Sequence, residues 1–334
     1  MENKNKKRIG VLRGGAGKHY ENSLKKGGEV IAFIFQNLSD QYRVVDILVD
    51  KEGTWHAGGL PVQPENLANK IDLVWNVSHP NFNNVLKNLP ISNIRLDSSP
   101  IIEQSRIMLN KNIKNFGIKI PEHIVFPVYQ KDFDGPREKY ANKKAREVLE
   151  KFGAPWIVRS FNSDLRMGPV RGREGSQRPS ASNGMGVHVA KTFPELVKAI
   201  KDGVSHEESI LVEELIAGKS ATVHSINNFR GESVYSLPAV EDRDGMIVAP
   251  GNFKADEKDK LIKISKKIHQ HLNASHYTKF DFILHRTKGI YLINMEFLPD
   301  LKQNSGFTES CESVGAKAEH LLSHIIELSL NRKI

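Results

Sequence analysis

At 334 residues the chain is too long for one compact core, so two or three domains are expected. A 39% hydrophobic, 26% charged composition without a bilayer-length apolar run describes a globular protein with no membrane partner. The single cysteine, Cys311, excludes an internal disulfide and a cysteine-built zinc site, and the polar start Met1–Arg8 is no signal peptide, so a cytoplasmic location is expected.

The net charge of +9 raises the question of nucleic acid. Its lysines and arginines are spread over helical stretches such as 137–151 and 258–267, with no aromatic-interleaved basic stripe. A basic surface that attracts small anionic substrates accounts for the charge as well.

In chain order, 8–13 reads as an apolar strand ending at Gly14-Gly15, followed by a helix over 21–38 and β-rich runs at 43–49, 71–77 and 93–96. Strands alternating with helices predict a parallel sheet in an α/β domain. Gly14, Gly15 and Gly17 fail the Gly-x-Gly-x-x-Gly spacing of a dinucleotide loop, because Tyr20 stands where the third glycine belongs. Ser99-Pro100 is a helix start, with Ser99 at the N-cap and Pro100 at the first helical position, and Gly117 is the stop. A strand at 123–128, a basic helix at 136–152 and a strand at 155–160 follow. The polar, glycine-rich segment 161–186 has neither period and is expected to be a long loop. Its end, 180–186, is suited either to an anion-binding nest of backbone N–H groups or to a solvated loop. Thr192 caps the next helix, 209–214 is a strand ending in Glu213-Glu214, and 222–226 with 232–238 reads as a hairpin. Helices are expected at 258–272 and 316–330, with His269 and His271 on a solvated helix face.

Residues 279–299 carry the strongest chemical pattern. Two alternating runs flank a turn near Thr287–Gly289, which predicts a β-hairpin with Asp281 opposite Asn294. Side-chain alternation then gathers Lys279, Asp281, Asn294 and Glu296 on one face and Phe280, Phe282, Ile293, Met295 and Phe297 on the other. Two carboxylates and an amide are hard oxygen ligands of the kind that hold Mg²⁺ together with nucleotide phosphates. The same alternation also describes a half-exposed strand with no ligand.

Taken together, these segments resemble the ATP-grasp superfamily and, within it, the D-alanine–D-alanine ligases. The resemblance rests on Leu12-Arg13-Gly14-Gly15 with Glu21-Asn22-Ser23, on Asn76-Val77-Ser78-His79, and on Gly117-Ile118-Lys119-Ile120-Pro121. It continues through Val212-Glu213-Glu214-Leu215-Ile216 with Gly218, then Phe280-Asp281-Phe282 and Asn294-x-Glu296-x-Leu298-Pro299. It implies an N-terminal parallel α/β domain at 1–98, followed by two α+β subdomains, 99–214 and 215–334, that sandwich ATP. It also implies an ADP-forming carbon–nitrogen ligase that joins two small amino acids, D-alanine first among them, for peptidoglycan precursors. ATP would be co-substrate, Mg²⁺ the cofactor, and a homodimer the assembly.

Carried over residue by residue, Glu21 meets the ammonium of the first amino acid and His79 lies near the substrate. Arg106 and Arg159 stand where two phosphate-binding lysines are usual; Ser182 and Gly184 cap phosphate; Glu213, Glu214 and Leu215 receive the adenine. Lys279 replaces the oxyanion arginine, and Asp281, Asn294 and Glu296 hold the metal. Here the metal strand reads Asn-x-Glu instead of Glu-x-Asn, Ser220 replaces a ribose-binding glutamate, and the lid is shortened to about 242–252. These departures keep two alternatives open: a protein that binds nucleotide without ligating, and a ligase for another amino-acid or hydroxy-acid pair.

Overall fold

The computed structural model describes residues 6–16, 20–79, 81–94, 113, 116–160, 187–206, 209–243 and 245–331. Two compact units divide the chain, one made of Met1–Pro100, Thr222–Phe280 and Glu296–Ile334, the other of Ile101–Ala221 and Asp281–Met295. No described helix is long and apolar enough to cross a membrane. The helix expected at 99–116 and the loop at 161–186 fall almost wholly outside the described residues.

The first unit contains the expected parallel sheet. β1 (Lys7–Gly14), β2 (Tyr42–Val49), β5 (Leu73–Asn76) and β6 (Ser92–Ile94) pair in parallel, while β3 (Trp55–Ala57) and β4 (Leu60–Pro61) add an antiparallel edge, in the order β4-β3-β2-β1-β5-β6. Strands as short as β3 and β4 carry too few residues for a period, which is why the sequence reading omits them. β1 is apolar on both faces because both are covered. Ile9 and Val11 pack with Trp75, with Val30 and Ile34 of α1 (Tyr20–Asn37), and with Leu321 and Ile325 of the C-terminal helix (Ala318–Leu330). Leu12 turns the other way, to Ile47, Val74 and Leu86 of α2 (Phe82–Lys87). Tyr42 Oη donates to Glu327 Oε1 at 2.8 Å, which ties β2 to the C-terminal helix.

A second sheet has the order β12-β11-β15-β16, from β11 (Lys219–Phe229), β12 (Glu232–Ser236), β15 (Tyr277–His285) and β16 (Gly289–Glu296). The segment after Val240 is a short hairpin, β13 (Glu241–Arg243) and β14 (Met246–Val248). The expectation for the two histidines needs correction. His271 is exposed, but His269 is buried, with Nδ1 2.7 Å from Thr278 Oγ1 and Nε2 2.8 Å from Asn227 Oδ1. Residues two apart on a helix do not share a face, so one histidine of the pair turns into the core. Burial pushes its pKa down to about 4.

In the second unit β7 (His123–Phe126), β8 (Trp156–Ser160), β9 (His188–Ala190) and β10 (Ile210–Glu214) form an antiparallel sheet in the order β7-β10-β8-β9. Helices α3 (Arg137–Lys151) and α4 (Phe193–Val204) share its core: Tyr140, Ala145 and Val148 of the first and Leu196 and Ile200 of the second meet Trp156, Val158 and Val212. α4 starts where the sequence places it. Thr192 Oγ1 accepts from the Glu195 N–H at 3.4 Å while Glu195 Oε2 accepts from the Thr192 N–H at 3.3 Å, a reciprocal cap.

Candidate active site

In the first sheet, β2 lies on one side of β1 and β5 on the other, so the connections diverge at the carboxyl ends of β1 and β5. A crevice at such a point is where open α/β sheets bind ligands. Gly14 and Gly15 end β1 with φ of +86° and +99°, and a Cβ on Gly14 would lie 2.2 Å from the Val49 carbonyl oxygen. The tight turn therefore requires glycine. Ser23 Oγ accepts from the Gly14 N–H at 2.9 Å and donates to Val77 O at 3.3 Å, while Ser78 Oγ donates to Gly14 O at 2.5 Å. These bonds stitch α1 and both strand ends together.

Glu21 lies in the first turn of α1, largely exposed, its Oε1 3.8 Å from Lys51 Nζ. His79 follows β5. Buried Asn76 accepts from the Ser78 N–H at 3.0 Å and donates to Asn83 Oδ1 at 2.9 Å and to the His79 carbonyl at 3.2 Å, so the loop carrying His79 is held from inside. The Asn81 N–H donates to His79 Nδ1 at 3.2 Å, which leaves the proton of the neutral imidazole on Nε2. Glu21 and His79 thus both belong to the carboxyl end of this sheet. The sequence reading treats Ser78 and Asn76 as flanking residues and passes over Asn83 and Lys51. The short polar run 76–79 after an apolar strand was the available signal.

In the second unit, Arg159 on β8 and Glu213 on β10 are brought together, Arg159 Nε donating to Glu213 Oε2 at 3.2 Å with both side chains nearly fully buried. Glu214, next in the strand, points the other way and meets Lys288 Nζ at 3.2 Å. The Leu215 N–H donates to Pro155 O at 2.9 Å. The paired glutamates of the sequence are therefore two separate sites.

The hairpin has the expected register. Asn294 Nδ2 donates to Asp281 Oδ2 at 3.1 Å, and two residues outward on each strand Lys279 Nζ lies 3.5 Å from Glu296 Oε1. Phe280, Phe282 and Met295 are buried on the alternate face. Beside Lys279, His224 of β11 is fully enclosed, its Nδ1 2.7 Å from Tyr277 Oη and its ring edge-on to Phe307. Burial, and then the Lys279 charge, push its pKa down to about 3, so it is a neutral packing group. Among the described residues no three His, Cys, Asp or Glu side chains converge on one point. The hairpin offers two carboxylates and an amide, a hard-oxygen donor set that suits Mg²⁺ completed by water and phosphate. Arg106, Ser182 and Gly184 lie outside the described residues.

Residues 178–327 match the family model described as the D-ala D-ala ligase C-terminus. The D-alanine–D-alanine ligase of Fervidobacterium nodosum is 24% identical over 354 residues, covering 96% of this chain and 98% of that protein. D-alanyl-alanine synthetase A from Vibrio cholerae superposes with a TM-score of 0.72 at 17% identity, covering 97% and 98% of the two chains. The D-alanine–D-alanine ligase from Bacillus anthracis, solved in complex with ATP, superposes with a TM-score of 0.67 at 20% identity, covering 97% of each chain. Fold and near end-to-end coverage agree: the chain has the fold of the D-alanine–D-alanine ligases, and its residues 178–327 match the C-terminal model of that family.

Proposed function

We propose that the chain is an ADP-forming ligase that joins two small amino acids, D-alanine the first choice, in the supply of peptidoglycan precursors. The observation that carries this reading is the hairpin register, which sets Asp281 against Asn294 and Lys279 against Glu296. A substrate carboxylate oxygen attacks the γ-phosphorus of ATP, ADP leaves, and an acyl phosphate forms. The amine of the second amino acid then attacks the acyl carbon, loses a proton, and displaces inorganic phosphate. Positioning and charge stabilisation supply most of the acceleration in such steps.

In this proposal Glu21 orients the ammonium of the first amino acid, with His79 beside it. Arg159 and Arg106 neutralise phosphate, Ser182 and Gly184 cap it, and Glu213, Glu214 and Leu215 take the base. Lys279 faces the oxyanion of the tetrahedral intermediate. Asp281, Asn294 and Glu296 hold Mg²⁺, which supplies charge neutralisation on the transferred phosphoryl group when bound. The division into 1–98, 99–214 and 215–334, the homodimer and the cytoplasmic location belong to the same proposal.

The test is release of ADP and phosphate from MgATP by purified protein, scanned across single D- and L-amino acids with mass spectrometry of the products. D-alanine-dependent release with D-alanyl-D-alanine formed is the expected result. ATP binding without amino-acid-dependent release would overturn the ligase and leave a nucleotide-binding relative.

A further inference from the structure

Within the ligase reading above, on which this inference rests, Glu21 receives the ammonium of the first amino acid. In the structure its carboxylate already has a cation beside it, with Lys51 Nζ 3.8 Å from Glu21 Oε1. The same Nζ lies 5.0 Å from the centre of the Tyr20 ring, so the residue before Glu21 in α1 attracts it too.

Both side chains are exposed, Lys51 at 63% and Glu21 at 74%, but the backbone that carries Lys51 is held in place. Lys51 belongs to the turn 50–54 between β2 and β3. Asp50 Oδ1 accepts from the N–H groups of Glu52 at 3.1 Å and Thr54 at 2.8 Å, and Asp50 Oδ2 lies 2.9 Å from His56 Nε2 on β3. The Asp50 N–H closes the turn on Thr54 O at 3.0 Å. The Gly15 N–H donates to Val49 O at 2.7 Å, which fastens the end of β2 to the glycine turn that ends β1. Lys51 is thus delivered to the carboxyl end of the sheet, on the side of Glu21, by bonds that do not involve Glu21.

The ammonium of lysine and that of an amino acid carry the same charge and the same three donors, so they compete for one carboxylate. Binding of the first amino acid through Glu21 then exchanges one ammonium for another, and only the difference appears as affinity. The Tyr20 ring gives the displaced Lys51 a place to remain.

We propose that Lys51 is an affinity-determining residue for the first amino acid, the resident counter-ion of Glu21 that the substrate ammonium displaces. Its removal strengthens first-site binding, the opposite sign to removal of a group that contacts substrate. An exposed ion pair is a weak one, so the gain is about two- to fivefold.

The experiment measures initial rates of phosphate release from MgATP by the full chain against D-alanine concentration, fitted with separate constants for the two amino-acid sites. K51M is expected to lower the first-site KM about two- to fivefold and to leave the second-site KM where it is. K51R keeps the cation and is expected to keep the wild-type first-site KM, which separates charge from packing. A first-site KM that is unchanged or raised in K51M, or lowered equally in K51M and K51R, would overturn this inference and leave the ligase reading standing. Absence of D-alanine-dependent release in wild type would overturn the ligase reading, and this inference with it.

Discussion

Arg159 and Glu213 form a buried ion pair across adjacent strands. Their bond at 3.2 Å is sealed from solvent on adjacent strands, so removing the guanidinium leaves a carboxylate in a poorly hydrated place. Arg159→Met is expected to destabilise the protein by about 3 kcal/mol, read as a shift in the urea midpoint, while Arg159→Lys, which keeps the charge, is expected to avoid most of that loss. Equal stability of Met and Lys variants would mean that the charge pair is not what holds the strands.

His269 sets a pH limit on the fold. The folded pKa of about 4 lies below the value near 6.5 of an unfolded chain, so the unfolded state takes up the proton first as pH falls. Stability is therefore complete above pH 6.5 and declines toward pH 4, by about 3 kcal/mol from this group. Chemical denaturation at pH 7.5 and 5 should give a smaller difference for His269→Gln than for wild type. An identical slope would assign the acid sensitivity to other groups.

At the scale of elements, the close approach of Gly218 to β15 makes a sharp prediction. A Cβ there would lie 2.4 Å from the Leu284 carbonyl oxygen, a backbone atom that cannot swing aside. Gly218→Ala is expected to cost about 1–3 kcal/mol through displacement of the strand end, measured as a lowered melting temperature. An unchanged melt would show that the segment leading into β11 shifts freely.

The strands and helices themselves were largely legible. Thr192 and Glu195 announce α4 because a cap is a local interaction between residues three apart. The hairpin register was legible for a related reason, since the glycine turn and the two-residue period leave little freedom once one face must be apolar. Short elements were not legible: β3, β4 and helix Gly306–Glu312 are fixed by what they pack against, as Phe307 and Cys311 are by the core containing Tyr277.

For the whole molecule, ligand binding to the folded state alone should raise its stability. Saturating MgATP at about a hundred times its dissociation constant is expected to add about 2.7 kcal/mol, observed as a melting temperature several degrees higher, with D281N giving a smaller rise. A melt unaffected by MgATP would argue against nucleotide binding by the folded protein.

The sequence by itself determined the parallel α/β character of the N-terminal sheet and the register of the 277–296 hairpin, because periodicity, capping and motif order are properties of neighbouring residues. Only the tertiary structure decided that Arg159 closes on Glu213, that Glu213 and Glu214 part company, that Lys279 neutralises Glu296 and that His269 is buried. Each of those depends on which strand lies beside which and on how much water remains, and neither quantity is encoded in the spacing of residues along one segment.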